Sequence, residues 1–198
     1  GCILDSTDGG VTWQEKSTTA GKNWVGIVSS DDGEKLAAIV NNGYIYTSPD
    51  GGGTWYERTS SGSRNWLSIA SSYDGTRLAA VDGQYVYLST DSGVNWNPGE
   101  SSKYWTRITS SSDGKYLAAI ADNYIWCSDE SGTSWAQVSD QARSWSCITS
   151  SNDGQMIAAA VNNGYIYIST NRGGTWTQQD SAGSNRWVSI VSSANGSK

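Results

Sequence analysis

One eight-residue stretch, Ser48-Pro49-Asp50-Gly51-Gly52-Gly53-Thr54-Trp55, sets the plan of the chain because it recurs at Ser6 to Trp13, Ser89 to Trp96, Ser128 to Trp135 and Ser169 to Trp176. The tryptophans that close the copies, Trp13, Trp55, Trp96, Trp135 and Trp176, stand 42, 41, 39 and 41 residues apart. A nearly fixed interval of this size means one supersecondary unit per repeat. Such a unit cannot bury its apolar face alone and must share a core with its neighbours, so the 198 residues are expected to form a single domain.

Each interval contains four segments that read as strands. In the first full copy they are 23–30, 35–40, 43–48 and 54–59, all short, rich in β-branched and aromatic residues and bounded by turn formers. Asp32-Gly33, Asp74-Gly75, Asp113-Gly114, Asp153-Gly154 and Asn195-Gly196 separate the first segment from the second. These dipeptides accept the positive φ of tight hairpins. Asn41-Asn42-Gly43, Asp82-Gly83-Gln84, Asp122-Asn123 and Asn162-Asn163-Gly164 then separate the second from the third. Each repeat is therefore a four-stranded antiparallel meander, and such units gathered around an axis are propeller blades. The alanine pairs of the second strand, such as Ala37-Ala38 and Ala79-Ala80, let adjacent blades approach closely.

The expected fold is an all-β, five-bladed propeller, with blades at about 23–62, 65–102, 104–141 and 144–182 and a composite of 186–198 with 1–18. The chain opens in a third strand and closes in a first, so the ring is expected to close by pairing the N-terminal strands with the C-terminal one. The second strand of that last blade is missing. Either the blade is three-stranded or the chain is an excerpt of a longer array, the reading favoured here, and its unpaired edge invites self-association.

Composition narrows the partners. A formal charge of −6 gives no basic field for a phosphate backbone, which argues against nucleic acid. No apolar run is long enough to cross a bilayer, which argues against membrane insertion. The three cysteines, Cys2, Cys127 and Cys147, occupy unlike repeat positions. They make no disulfide framework; one bridge stays open, but three separate thiols are the favoured reading. The absence of histidine removes the commonest general base and most zinc sites.

The consensus Ser-x-Asp-x-Gly-x-Thr-Trp resembles the Asp-box, or BNR repeat, of sialidases, some glycoside hydrolases, sortilin-type receptors and photosystem II assembly factors. The resemblance covers all five copies. It implies a hairpin between the third and fourth strands of each blade, with the acid folded back onto turn amides and the tryptophan packed beneath. Asp8, Asp50 and Asp91 keep the acid, Asn171 substitutes a neutral acceptor, and Glu130 is one methylene longer. These residues and their five tryptophans are expected to be structural; the scattered acids point to no metal and no cofactor. The sialidase pattern of three carboxylate-clamping arginines cannot be assembled from Arg58, Arg64, Arg77, Arg107, Arg143, Arg172 and Arg186, which fall at differing repeat positions.

A second tryptophan set, Trp24, Trp66, Trp105, Trp145 and Trp187, opens the first strand of each blade. The meander places it at the end opposite the Asp boxes. It reads either as inter-blade packing or as a stacking ring at the channel mouth, with Arg64, Arg107 and Arg186 beside it. The function expected from this is a non-catalytic binding or scaffolding module for protein or glycan, part of a larger extracellular or cell-surface protein. The alternatives are a lectin-like binder using the tryptophan mouth, an assembly factor for a membrane or photosynthetic complex and, last, a glycoside hydrolase or sialidase.

Overall fold

The computed structural model describes residues 1–16, 19–99 and 103–198. It is all-β, with five antiparallel sheets following one another along the chain. The first is a hairpin of β1 (Ile3–Asp5) and β2 (Gln14–Lys16). The first full blade comprises β3 (Trp24–Ser29), β4 (Leu36–Gly43), β5 (Ile45–Ser48) and β6 (Tyr56–Arg58), with β7 (Arg64–Asn65) paired back onto β4. The second runs through β8 (Ser68–Ser71), β9 (Leu78–Val81), β10 (Val86–Ser89) and β11 (Asn97–Pro98). The third is β12 (Trp105–Ser110), β13 (Leu117–Ala121), β14 (Tyr124–Ser128) and β15 (Ala136–Gln137). The fourth is β16 (Trp145–Ser150), β17 (Ile157–Gly164), β18 (Ile166–Ser169) and β19 (Thr177–Gln178), with β20 (Asn185–Arg186) on β17.

The core lies between blades. Ala37, Ile39 and Ile45 of the first blade pack with Trp66, Ile69, Leu78, Ala80, Tyr87 and Trp96 of the second. Equivalent clusters join the second blade to the third and the third to the fourth. Every second-strand alanine in them is nearly inaccessible. Small side chains there set how closely two sheets can lie.

A bulge makes this possible. Strand residues three apart normally point to opposite faces, yet Trp105 and Ile108 share one cluster, as do Trp145 and Ile148. The register slips by one residue between Trp105 and Arg107 and between Trp145 and Cys147, as it does between Trp24 and Gly26. The extra residue turns the tryptophan onto the face of the isoleucine.

Two backbone networks tie the end of the molecule that carries the Asp boxes. Tyr73 N donates to Ser112 O (2.7 Å), Ser112 N to Asn152 O (2.7 Å) and Asn152 N to Ala194 O (2.8 Å), each bond crossing from one hairpin to the next. Within a blade the box is tied to the same hairpin, as in Ser92 N to Thr76 O (2.9 Å) and Ser131 N to Lys115 O (2.9 Å). Those amides belong to residues at positive φ, 58° at Ser92 and 55° at Ser131.

The closing pairing differs from expectation. β1 pairs with β2 alone among the described residues, and 187–193 joins no sheet. Instead this segment rests on the fourth blade, where Ser192 Oγ donates to Ser150 O (2.9 Å). The reason lies in strand order: in every full blade the second strand sits between the first and the third. A first strand and a third have no direct ladder to form.

Candidate functional site

The Asp boxes adopt the expected geometry. At the second copy Ser48 Oγ donates to Asp50 Oδ1 (2.8 Å), Gly52 N donates to Ser48 Oγ (2.9 Å) and Thr54 N donates to Asp50 Oδ1 (2.7 Å). Asp8, Asp91 and Asn171 accept the amides of Thr12, Asn95 and Thr175 in the same way. The longer Glu130 instead receives the Ser134 hydroxyl at 3.2 Å. Box indoles bond within or beside their own turns, Trp96 to Gly93 O (2.9 Å), Trp135 to Gly132 O (3.2 Å) and Trp176 to Val138 O (3.1 Å). Trp55 is half-buried and its Nε1 has no partner among the described residues, whereas Trp13 is exposed.

A second serine–acid turn recurs at the first hairpin of every blade. Ser72 Oγ donates to Asp74 Oδ1 (2.6 Å) while accepting Arg77 N (3.0 Å), and Ser30, Ser111 and Ser151 repeat the pattern. The Ser72 hydroxyl, with the amide and hydroxyl of Thr76, holds the Asp74 carboxyl down at about 2. The Thr12 hydroxyl and amide do the same for Asp8, also to about 2. Unfolded, such a carboxyl titrates near ~3.9. A depressed folded pKa contributes stability that is complete above the unfolded value and lost as pH falls through the folded one. The urea midpoint is therefore expected to hold from neutral pH to about 5 and to drop between about 4 and 2, with a shallower drop in Asp74→Asn. A midpoint unchanged down to about pH 2 would contradict this. These bonds occupy the acids at the box end with turn geometry, and no group of three acid or cysteine side chains that could hold a metal occurs among the described residues.

At the opposite end the first-strand tryptophans sort into two kinds. Trp66 and Trp105 are 0% exposed and Trp145 is 9%, which corrects the reading of these three as an exposed stacking ring. Each is wedged between an aromatic of its own third strand and its own box tryptophan, Trp66 by Tyr87 and Trp96, Trp105 by Trp126 and Trp135, Trp145 by Tyr167 and Trp176. Trp24 and Trp187 remain half-buried.

Most of the loop cations at this end are also structural. Lys22 lies over Tyr46 (4.7 Å), Arg64 over Tyr87 (4.4 Å), Lys103 over Trp126 (4.4 Å) and Arg143 over Tyr167 (4.4 Å), one per blade and always two residues before the first-strand tryptophan. Arg64 also pairs with Asp82 at 3.6 Å and donates to Ser61 O. The last copy breaks this rule: Asn185 stands two residues before Trp187, and the cation is Arg186, next to it. Arg186 is exposed.

Arg186 and Arg107 meet in one cleft of about 500 Å³, lined also by Thr106, Asn123, Ser144, Trp145, Asn162 and Trp187. Arg107 occupies the position held by Gly26, Ser68 and Cys147 in the other full blades. The cleft contains two guanidinium groups, side-chain amides and hydroxyls, and no carboxylate. Beside it lies a buried donor without an acceptor. Trp66 Nε1 donates to Gly43 O (3.0 Å) and Trp187 Nε1 to Gly164 O (2.8 Å), in each case a carbonyl of the three-residue turn of the preceding blade. The indole N–H groups of Trp105, which follows the turn Asp82-Gly83-Gln84, and of Trp145, which follows Asp122-Asn123, are buried and have no partner among the described residues.

The chain matches no protein-family model and no curated protein. Its fold does match solved structures. The GH74 xyloglucanase from Xanthomonas campestris superposes with a TM-score of 0.68 at 17% identity, over 84% of this chain and 31% of that one. YCF48 from Cyanidioschyzon merolae gives 0.65 at 16%, over 90% and 66%. YCF48 bound to D1 peptide gives 0.53 at 15%, over 81% and 83%. This chain thus spans under a third of the xyloglucanase and about two thirds of the first YCF48 structure. With four complete meanders, formed Asp boxes and these likenesses, the chain has the β-propeller fold shared by GH74 enzymes and YCF48.

Proposed function

We propose that this chain is a non-catalytic protein-binding propeller module, and that its binding surface is the cleft of Arg107 and Arg186. The observation that carries the reading is the charge of that cleft. In a chain with 19 acidic and 13 basic residues, two arginines line one concavity without a single acid. Guanidinium groups recognise carboxylates through paired, charge-assisted hydrogen bonds, and the half-buried Trp187 adds an apolar wall to the cleft. The ligand class is therefore an extended peptide carrying a carboxylate. The likeness to YCF48, of which one structure holds a D1 peptide, is compatible with this and with a role in assembling a larger complex. Burial of Trp66, Trp105 and Trp145 takes support from the lectin-like alternative.

Calorimetric titration with a short peptide ending in a free carboxylate tests the reading. Binding is expected to weaken about tenfold for Arg107→Ala or Arg186→Ala and for the same peptide amidated at its C-terminus. Equal affinity for the free and amidated peptides, or no effect of either substitution, would defeat it. Both side chains are exposed, so the variants are expected to stay folded.

A further inference from the structure

Two turns of the fold are built on an asparagine followed by a glycine. In β4 the pair is Asn42-Gly43 and in β17 it is Asn163-Gly164, and in both the asparagine is the extra residue of a bulge, at φ 54° and 53°. Asparagine enters this left-handed region more readily than most side chains. The glycine answers to space: a Cβ on Gly43 would stand 2.7 Å from Val40 Cγ1, and one on Gly164 2.8 Å from Val161 Cγ1. The other two full blades make the same connection with Asp82-Gly83-Gln84 and Asp122-Asn123. An asparagine–glycine pair is thus one solution of the turn and no requirement of the fold.

The pair carries a chemistry of its own. Glycine has no side chain to screen its peptide nitrogen, so that nitrogen can attack the Cγ of the asparagine before it. The Cγ–Nδ2 bond breaks, ammonia leaves with the proton that the glycine nitrogen gives up, and a cyclic imide closes. Water then opens the imide at one carbonyl or the other, leaving aspartate or its β-linked isomer. Water is the sole co-reactant.

Attack needs an asparagine side chain that is free to turn. Asn42 and Asn163 are exposed, and neither side chain has a hydrogen-bond partner among the described residues. Only their backbone carbonyls are engaged, by Ser63 Oγ (3.4 Å) and Ser184 Oγ (3.2 Å). At the third such pair, Asn195-Gly196, the side-chain oxygen accepts the Ser193 hydroxyl and both the amide and the hydroxyl of Ser197.

Position gives the two free sites different consequences. β20 lies on β17 with Arg186 opposite Asn162 and Asn185 opposite Gly164, so the bulged Asn163 stands beside Arg186. Arg186 is exposed and has no ion pair among the described residues. Asn42 has Arg64 in the matching place, opposite Gly43. Arg64 already pairs with Asp82 and does not line the arginine cleft.

We propose that Asn163 is a site of non-enzymatic conversion to aspartate or isoaspartate, and that the carboxylate so created pairs with Arg186 and weakens the cleft for anionic peptides. The effect on peptides rests on the reading given above; the conversion and the ion pair do not. A modification that changes charge acts by the ordinary rules of ion pairing. One of the two guanidinium groups is drawn from the ligand, and a like charge is set where the ligand carboxylate must approach.

The full chain is held at mildly alkaline pH beside a sample unfolded in urea, and peptide maps read the gain of acid at each asparagine. Asn163 and Asn42 are expected to convert in both samples. Asn163→Asp, which installs the charge without lengthening the backbone, is expected to shift the Arg186 Nε–H resonance and to weaken binding of the free-carboxylate peptide about tenfold. Asn42→Asp is expected to leave both unchanged. The resonance reads the ion pair without any peptide, so a wild-type chain that binds no such peptide counts against the cleft reading alone. Asn163 intact in the folded chain after the unfolded one has converted, an Arg186 resonance unmoved in Asn163→Asp, or equal affinity of the two variants in a chain that binds the peptide would each overturn the proposal.

Discussion

Truncation of Trp66 to alanine is expected to lower stability by about 3–5 kcal/mol. The side chain is inaccessible, stacks on Tyr87 at 5.2 Å and Trp96 at 6.4 Å, and joins Ile39 and Ile45 of the first blade to Ile69 and Leu78 of the second. Its removal leaves a hole that two sheets border and neither can fill. The same truncation at the exposed Trp13 is expected to change stability by less than about 0.5 kcal/mol. Urea denaturation of the two variants reads the difference directly. Equal losses would mean that the seams between blades do not hold the fold.

The second large effect lies at Gly93. Its φ is 81°, and an added Cβ would stand 2.7 Å from Thr47 Cγ2 of the preceding blade and 3.1 Å from Leu78. Left-handed backbone with a Cβ costs about 1–2 kcal/mol, and overpacking of this kind typically adds about 1–3 kcal/mol. Gly93→Ala is therefore expected to lose about 3 kcal/mol. Gly9, at φ 72° with nothing within 4 Å of its Cβ, separates the two terms. Gly9→Ala is expected to cost about 1–2 kcal/mol from the backbone alone. A Gly93 variant no less stable than the Gly9 variant would show that the box does not press against its neighbour.

The sequence displayed the repeat so fully because the same geometric demands recur in every blade. Asp8, Asp50, Asp91 and Asn171 each accept a turn amide, glycine takes the left-handed turn, and a tryptophan closes the box. What stayed hidden depends on relations between blades. The bulge before Arg107 leaves no mark in alternation, since it consists of one residue too many opposite β13. Trp66 and Trp24 look identical in sequence, yet the first is inaccessible with its indole bonded to Gly43 O of a complete preceding blade, whereas the second is half-buried with its indole bonded to Thr19 O.

The candidate site was legible only in part. Arg64, Arg107 and Arg186 stood together as candidates because all flank first-strand tryptophans. In the fold Arg64 is engaged by Tyr87 and Asp82, and the other two line one cleft. The single-residue displacement of Arg186 relative to Arg143 was visible in the repeat alignment. Its meaning was not, because the cation–aromatic contact it abandons is a contact in space.

The proposed peptide carboxylate lies between Arg107 and Arg186, in the cleft that Trp145 and Trp187 line. Nuclear magnetic resonance of the indole N–H groups, eleven in this chain, tests it most directly during titration with the free-carboxylate peptide. The Trp145 signal is expected to move with saturation while those of Trp66 and Trp96 stay fixed. A Trp145 signal that never moves while the peptide binds elsewhere would contradict it.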